Sequence, residues 1–289
     1  MWLFLLLSAL LGTAQVARGF HGAMASGRVS GLASSRCALK MSSPPSEWLT
    51  CKVVTNRKEA EGLRFIEIAT SAACAAQYTS PGQYVKIKVG EGKPGFYAIA
   101  SPPDASREVM QFIVKETENN AYIAASKAGD TLDVSMPQGK GFQIVDGFDK
   151  YKNDFPAFNV LLMATGSGLA PIAAAIDYAP LALRKVGANS LYERTATLYL
   201  GARSENHLPF RSKFGDWESK GVKIIPVLSQ PGNSWKGKTG YIQDALKETG
   251  VATPRNTGAL LCGHRGMTDN VKDFLLESGV FEGRILFNF

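Results

Sequence analysis

The chain has 289 residues, of which 45% are hydrophobic and 20% are charged, so it can bury one large core or two ordinary ones. This composition excludes an intrinsically disordered or fibrous protein. The formal net charge of +7 would favour an acidic partner such as a nucleic acid if the basic residues were spread evenly, which they are not.

The amino-terminal region differs in composition from the rest of the chain. Residues 2–11 are nearly all apolar, a stretch too short to span a bilayer but as long as the core of a signal peptide. Ala17 and Gly19 are small residues at the positions that precede a cleavage site, so we predict a signal peptide over residues 1–19. Residues 20–46 are rich in Ser, Ala and Gly and contain no acidic residue, which is typical of a transit peptide.

This two-part leader is typical of proteins delivered to plastids that are bounded by extra membranes. The sequence therefore predicts a location in the chloroplast stroma, and the secretory pathway is the alternative. Residues 1–46 contain four basic and no acidic residues, so the remaining chain has 28 basic and 25 acidic residues, a net charge of +3. We therefore predict no nucleic-acid partner and no membrane span in the mature protein, and the oligomeric state stays open.

Cysteine and histidine numbers argue against a disulfide framework and a metal site. Beyond the leader, Cys51, Cys74 and Cys262 remain, an odd number without a Cys-x-x-Cys pair. Two histidines also remain, too few for a histidine-rich metal centre. We predict that the protein binds no metal.

Residues 47–150 are predicted to form the first domain. Short segments of alternating or β-branched residues, separated by turns rich in Gly, Pro, Asn and Asp, predict a small antiparallel β-barrel. A helix over Ala121–Lys127 interrupts the strands, and Asn120 is placed to cap it. The predicted strands are Leu49–Val54, Leu63–Ala69, Tyr84–Val89, Phe96–Ser101, Val109–Lys115 and Thr131–Ser135.

Residues 156–289 are predicted to form the second domain, after a charged link that contains Pro156. Strands alternate with helices, which predicts an α/β doubly wound parallel sheet that binds ligands at the carboxyl ends of its strands. The predicted strands are Asn159–Ala164, Ala196–Gly201, Val222–Leu228 and Ala259–Cys262. The predicted helices are Ala170–Leu183, Pro209–Ser219, Tyr241–Glu248 and Thr268–Ser278.

The turn after the first strand of the second domain is the main candidate for a binding site. The apolar strand ends at Thr165-Gly-Ser-Gly168, and an Ala-rich helix follows with Pro171 in its first turn. Glycines let a phosphate approach the backbone, and the N–H groups and dipole of a helix N-terminus favour negative charge. A tight turn without a ligand is the alternative, but Ser229-Gln230 and Cys262-Gly263 follow two other strands, which favours a shared site.

Four segments resemble motifs of the ferredoxin–NADP reductase superfamily of flavoproteins, in the family's order across residues 48–289. Met163–Pro171 is similar to the turn that holds the nicotinamide-nucleotide pyrophosphate, and Cys262–Met267 matches a CGxxxM element whose cysteine lies beside the nicotinamide. Pro81–Val85 and Phe96–Ser101 resemble the barrel strands that hold the flavin. The resemblance implies a reductase that transfers hydride between NAD(P)H and FAD and then passes electrons to an acceptor, for which a small redox protein is the candidate.

The resemblance also implies contacts for each cofactor. Cys262, Phe289 and Tyr97 would lie at the reacting rings. The implied FAD contacts are Tyr97, Ala98, Ile99, Ser101, Asn120, Ala121, Gly139, Lys140 and Phe289. The implied NAD(P) contacts are Thr165, Gly166, Ser167, Gly168, Pro171, Arg203, Ser229, Gln230, Lys238, Tyr241, Cys262, Gly263 and Met267.

Several positions depart from the family pattern. Members commonly show Arg-x-Tyr-Ser where this chain has Gly95-Phe-Tyr-Ala98, which removes a charged contact to the FAD phosphates and a hydrogen bond to flavin N5. Photosynthetic members have an acidic residue where Phe287 stands. These differences favour an alternative function, a redox-silent scaffold with the reductase fold. Gln230 and Thr239 replace an Arg and a Lys of NADP-specific members, so the choice between NAD and NADP stays open.

Overall fold

The computed structural model describes residues 48–149, 155–183 and 194–288. The predicted leader and the terminal Phe289 lie outside the described residues. Within the described ranges, no helix combines the length and the apolar character that a membrane crossing requires.

Antiparallel strands form the amino-terminal half, with the sheet order β4-β3-β6-β1-β2-β5. Ile99, which follows β4 directly, bridges to Phe112 in β5, and the Ala100 N–H donates to the Gln111 carbonyl at 2.7 Å. The two ends of the row therefore meet, and the predicted antiparallel barrel is confirmed. The strands are β1 (Trp48–Ala60), β2 (Leu63–Ala69), β3 (Tyr84–Lys88), β4 (Gly95–Ala98), β5 (Val109–Lys115) and β6 (Thr131–Ser135).

The interior of the barrel is filled by every second side chain of its strands. Val85 and Ile87 in β3 and Phe112 and Val114 in β5 are at most 1% exposed, because successive strand side chains point to opposite faces. Burying one such side chain stabilises the fold by about 1.5–3 kcal/mol. The apolar alternation that predicted these strands therefore also provides their core.

Two short helices accompany the barrel, α1 (Ala72–Gln77) and α2 (Ala121–Ala124), and α1 was not predicted. Ser71 caps α1 by accepting from the Cys74 N–H at 3.2 Å. Asn120 stands at the N-cap position of the second helix, as predicted, but its side chain accepts no hydrogen bond from the helix. Its side chain instead closes the preceding turn, accepting from the Thr117 N–H at 2.9 Å and donating to the Lys115 carbonyl at 2.7 Å. The helix also ends earlier than predicted.

Parallel strands form the carboxyl-terminal half, with the sheet order β10-β9-β8-β7-β11-β12. All pairings within this sheet are parallel, which confirms the predicted doubly wound sheet. The two-residue strand β10 was not predicted. The strands are β7 (Asn159–Thr165), β8 (Thr195–Ala202), β9 (Val222–Leu228), β10 (Lys238–Thr239), β11 (Thr257–Cys262) and β12 (Ile285–Phe287).

The helices of this half are α3 (Leu169–Ile176), α4 (Phe214–Ser219), α5 (Ile242–Thr249) and α6 (Arg265–Glu277). Three of them differ in length from the prediction. Helix α3 ends seven residues before Leu183, because the chain turns after Ile176 and continues as a 3₁₀ turn that contains Pro180. Helix α4 begins five residues after Pro209, and α6 begins three residues before Thr268, where the His264 ring accepts from the Gly266 N–H.

The barrel packs directly against the parallel sheet and its helices. Phe65 of β2 contacts Phe210 edge to face, with ring centroids 5.9 Å apart, and Phe210 contacts Trp217 of α4 in the same way at 6.1 Å. The Phe210 N–H also donates to the carboxylate of Glu59 in β1 at 2.8 Å. This continuous contact fixes the position of the barrel relative to the carboxyl ends of the parallel strands.

Candidate functional site

The site lies where the strand order of the parallel sheet changes direction. Strand β7 is the first of its sheet in the chain, and β8 and β11 flank it on opposite sides. Loops from the two directions separate at this point and leave a crevice at the carboxyl ends of the strands, the usual ligand position in an open α/β sheet. The turn at Thr165–Gly168 and the turn at Cys262–Gly263 both begin there.

The two turns touch each other through their backbones. A Cβ on Gly168 would lie 2.5 Å from the Cys262 carbonyl oxygen and 2.8 Å from the Gly263 Cα, so only glycine fits. The Thr165 hydroxyl accepts from the His264 N–H at 3.0 Å and links the turns a second time. The two turns therefore form one surface.

This surface fits a pyrophosphate. Gly166 has a φ of +55°, and a Cβ placed on it would meet no atom within 4 Å, so the turn presents open backbone. A 3₁₀ turn over Gly166–Gly168 leads directly into the buried helix α3, and its N-terminal N–H groups and dipole favour an anion. The chemistry predicted for this turn agrees with its geometry.

A cleft of roughly 1470 Å³ lies between these turns and the barrel, and it contains most of the predicted nucleotide contacts. On the parallel-sheet side it is lined by Thr165, Gly166, Ser167, Gly168, Arg203, Ser229, Tyr241, Cys262, Gly263 and Met267. Three predicted contacts do not line it. Pro171 is buried in α3, Gln230 is exposed outside the cleft, and the Lys238 ammonium pairs with Glu248 at 2.6 Å.

The predicted flavin contacts divide between the cleft and a smaller groove beside it. Tyr97, Ala98 and Asn120 line the cleft. Gly139 and Lys140 line the groove, which measures roughly 700 Å³ and is bordered by Tyr84, Phe96, Gly139, Lys140, Gly141, Gln143, Phe287 and Asn288.

Three predicted flavin contacts border neither space, and a fourth lies outside the described residues. Ile99 and Ser101 are buried in the barrel, where the Ser101 hydroxyl accepts from the Gln111 N–H. Ala121 is exposed and borders neither space, and Phe289 lies outside the described residues.

Tyr97 lies across Gly95. A Cβ on Gly95 would be 2.5 Å from the Tyr97 hydroxyl oxygen and 2.8 Å from its ring, so the tyrosine occupies the space of any larger side chain at that position. Burial, with a smaller contribution from Tyr122, raises the pKa of Tyr97 to about 12. The phenol therefore stays protonated at physiological pH.

Cys262 closes the floor of the cleft between the two turns. The residue is 5% exposed, and burial raises the pKa of its thiol to about 12. The side chain is therefore a neutral thiol that does not act as a thiolate nucleophile.

Comparison with known proteins agrees with this geometry. Residues 162–273 match the family model of the oxidoreductase NAD-binding domain. The chain is 32% identical over 232 residues to the fruit protein pKIWI502 of Actinidia deliciosa, covering 76% of this chain and 69% of that protein. It resembles a Neisseria gonorrhoeae ferredoxin NADP+ reductase, solved with FAD and NADP, with a TM-score of 0.66 at 17% identity, covering 84% of this chain and 98% of that one.

The chain belongs to the ferredoxin–NADP reductase superfamily. The predicted family and fold are therefore confirmed, and so is the cofactor pair of this superfamily, FAD and NAD(P)H. The protein is an electron-transferring oxidoreductase by class.

The superfamily also contains longer proteins. The chain is 25% identical to reductase component 2 of the terephthalate 1,2-dioxygenase of Comamonas sp and covers 65% of it. It is 26% identical to the electron transfer component XylA of the xylene/toluene monooxygenase of Pseudomonas putida and covers 54% of that protein. The chain therefore spans only part of the length of these two relatives.

Among the cleft-lining residues that the sequence analysis did not predict are His264 and Asn288. His264 lines the cleft and caps α6, and its place inside the Cys262–Met267 motif was an available signal. Asn288 lines both the cleft and the groove although only 2% of it is exposed, and its Nδ2 has no partner among the described residues. A lone Asn near a chain end carries no sequence signal of such burial.

Proposed function

We propose that this protein is a plastid reductase that oxidises NAD(P)H through FAD and passes the electrons to a separate acceptor. The observation that carries this proposal is the cleft itself. It joins the paired turns at Thr165–Gly168 and Cys262–Gly263 to the barrel strand Gly95–Ala98, so a nucleotide bound to one wall faces a flavin bound to the other.

The protein's own groups have separate tasks in this proposal. Backbone N–H groups at Gly166–Gly168 would hold the nucleotide pyrophosphate, and Tyr241 would cover the adenine end. Tyr97 and Asn120 would bind the flavin as neutral hydrogen-bonding groups, and the Cys262 thiol would pack beside the nicotinamide. The bound FAD would supply an isoalloxazine ring that accepts hydride from the nicotinamide.

The nucleotide in this proposal is either NADH or NADPH. Arg203 lines the cleft, and among the described side chains no acidic group forms an ion pair with it. A guanidinium in this position can bind a 2′-phosphate. Comparing both nucleotides with the unsubstituted chain and with Arg203→Ala tests this contact, since loss of a phosphate contact weakens NADPH binding and leaves NADH binding unchanged.

The decisive experiment is an anaerobic titration of the FAD-loaded protein with NADH and with NADPH, followed by flavin absorption. Bleaching of the flavin at stoichiometric nucleotide supports the reductase. A protein that stays colourless after incubation with FAD would refute the flavoprotein itself. The rate at which the absorption band of oxidised flavin disappears gives the rate of hydride transfer and separates slow transfer from no transfer.

A redox-silent scaffold is the second candidate, favoured by Gly95 and Ala98, which lack the side chains that family members use toward FAD. It predicts bound flavin that stays oxidised in excess NADH and NADPH. The intact paired turns at Thr165–Gly168 and Cys262–Gly263 favour the reductase, because a scaffold gains nothing from a glycine-built anion site.

The acceptor that we propose is a small redox protein. Two relatives bear names that describe them as the reductase component or the electron transfer component of an oxygenase, which supports a protein acceptor. Lys93 lines the cleft, and Lys86 and Lys88 lie on the neighbouring strand β3, so an acidic partner surface would suit this edge. Electron transfer to an acidic ferredoxin that weakens steeply with added salt would support it.

The plastid location is proposed from the composition of residues 1–46. Fusion of these residues to a fluorescent protein, expressed in an alga whose plastid has extra membranes, tests it by imaging. Fluorescence inside the plastid is expected, whereas fluorescence in the secretory pathway would support the alternative.

A further inference from the structure

Asn288 is buried at the junction of the two halves of the molecule. It follows β12, and continuing the β11–β12 register, in which Leu261 lies opposite Phe287, sets it alongside Cys262. On its other side it packs against the barrel, because a Cβ on Gly82 would lie 3.0 Å from the Cβ of Asn288. The residue therefore touches both walls of the site.

The Asn288 amide has an unused donor. Its Nδ2 is buried and has no hydrogen-bond acceptor among the described residues. Burying such a donor is unfavourable unless an acceptor completes the hydrogen bond. Asn288 borders both the cleft and the groove, so the missing acceptor belongs to a ligand in that space.

The surroundings of Asn288 indicate which ligand supplies the acceptor. Apart from Phe287 and Asn288, every residue that lines the groove comes from the barrel half. The barrel strand β4 contributes no polar side-chain atom at Ala98, which lies opposite Tyr84. An isoalloxazine ring against this wall would present its two carbonyl oxygens and the ring nitrogens N1 and N5, which are acceptors in oxidised flavin. A primary amide is a suitable donor for them.

We propose that Asn288 is a flavin-positioning residue, whose side-chain amide donates a hydrogen bond to a carbonyl or ring nitrogen on the polar edge of the isoalloxazine. This inference rests on the proposed function as a flavoprotein. The hydrogen bond fixes the ring where the carboxyl edge of the parallel sheet meets the barrel. Asn288 thus supplies, from the side of the parallel sheet, a donor that Ala98 of β4 does not supply from the barrel.

The test compares FAD affinity, without nucleotide, for the full chain and for Asn288→Leu, by titration of flavin fluorescence and absorption. Leucine has nearly the same size and no donor, so we expect about tenfold weaker FAD binding, the value of one hydrogen bond, and a shifted flavin absorption band. The melting temperature of the FAD-free protein should stay equal or rise, because leucine removes an unpaired buried amide. An asparagine with a purely structural role would instead leave FAD affinity unchanged and give a lower melting temperature on substitution.

Asn288→Asp provides a second, independent variant. A carboxylate cannot donate, so FAD binding should be weak at neutral pH and recover as the pH is lowered enough to protonate the side chain. The control is Gln143→Leu, which removes an amide from the same groove whose Nε2 already donates to the Lys140 carbonyl at 2.6 Å. We expect it to bind FAD within twofold of the unsubstituted chain.

Three results would overturn the inference. FAD affinity of Asn288→Leu within twofold of the unsubstituted chain, with an unshifted absorption band, would show that no hydrogen bond to flavin was lost. A loss confined to nucleotide binding would assign the donor to the nicotinamide. If the unsubstituted chain bound no FAD, the proposed function would fail together with this inference, whereas the first two results leave the reductase intact.

Discussion

The two walls of the cleft obtain their binding groups in different ways. On the parallel-sheet wall the binding surface is backbone, and glycines at positions 166 and 168 keep it open. On the barrel wall the groups are side chains, and there Gly95 and Ala98 depart from the family pattern. The contact between the two backbone turns tolerates no Cβ at Gly168, whereas a surface built from side chains can exchange one hydrogen-bonding group for another. The four predictions below test this difference.

The largest effect is expected from Gly168→Ala on the parallel-sheet wall. The new Cβ would lie 2.5 Å from the Cys262 carbonyl oxygen, and neither backbone segment can yield without moving both turns. We expect nucleotide affinity to fall about 100-fold and the free energy of unfolding by about 2–3 kcal/mol. Nucleotide titration and thermal denaturation measure both.

The matched control is Gly215→Ala in helix α4, where the added Cβ meets no atom within 4 Å. It should leave nucleotide affinity unchanged and raise helix stability by up to about 1 kcal/mol. Equal nucleotide affinity for Gly168→Ala and Gly215→Ala would show that nucleotide binding does not depend on the contact between the two turns.

On the barrel wall, Gly95→Ala should weaken FAD binding about tenfold, because the new Cβ would displace the Tyr97 ring, 2.8 Å away. The same change in a Tyr97→Leu background should cost little, because no phenol is left to displace. A double-mutant cycle on FAD affinity measures this coupling, which we expect to exceed 1 kcal/mol. Additive effects of the two substitutions would contradict the packing of Tyr97 over Gly95.

The buried Cys262 predicts how stability changes in alkali. Burial raises the pKa of its thiol from 9.0 to about 12, so the folded chain retains a proton that the unfolded chain has released. The stabilisation is complete below about pH 9 and is lost as the pH rises toward 12. Between pH 8 and 10 the free energy of unfolding should fall by about 1.4 kcal/mol more for the unsubstituted chain than for Cys262→Ala. Denaturant unfolding at each pH measures this difference. Parallel pH curves for the two proteins would show that the thiol titrates normally.

The smallest effect is expected from Thr165→Val, which removes the acceptor of the His264 N–H and leaves the shape of the side chain nearly unchanged. We expect a loss of about 1 kcal/mol in unfolding free energy and a roughly fivefold loss of nucleotide affinity. Thr165→Ser keeps the hydroxyl and should retain both. If the valine variant retained stability and nucleotide affinity and the serine variant lost them, the methyl group rather than the hydrogen bond would link the turns.

Much of the fold could be predicted because its signals are local in the sequence. The alternation in Val109–Lys115 marked a strand, and the sequence around Thr165–Gly168 marked a strand, a turn and a helix start in order. Element ends were less predictable. Helix α3 stops at Ile176 although apolar residues continue, since the ends of helices depend on turns and on packing as well as on composition.

The sequence by itself determined the barrel, the parallel sheet and the glycine turn, because periodicity and turn chemistry are properties of neighbouring residues. Only the tertiary structure decided which side chains border the cleft. It paired Lys238 of β10 with Glu248 of α5 and buried Asn288 between the two halves. Each of these depends on a partner distant in sequence or on burial between elements. The periodicity of residues along one strand or helix does not predict contacts between different elements.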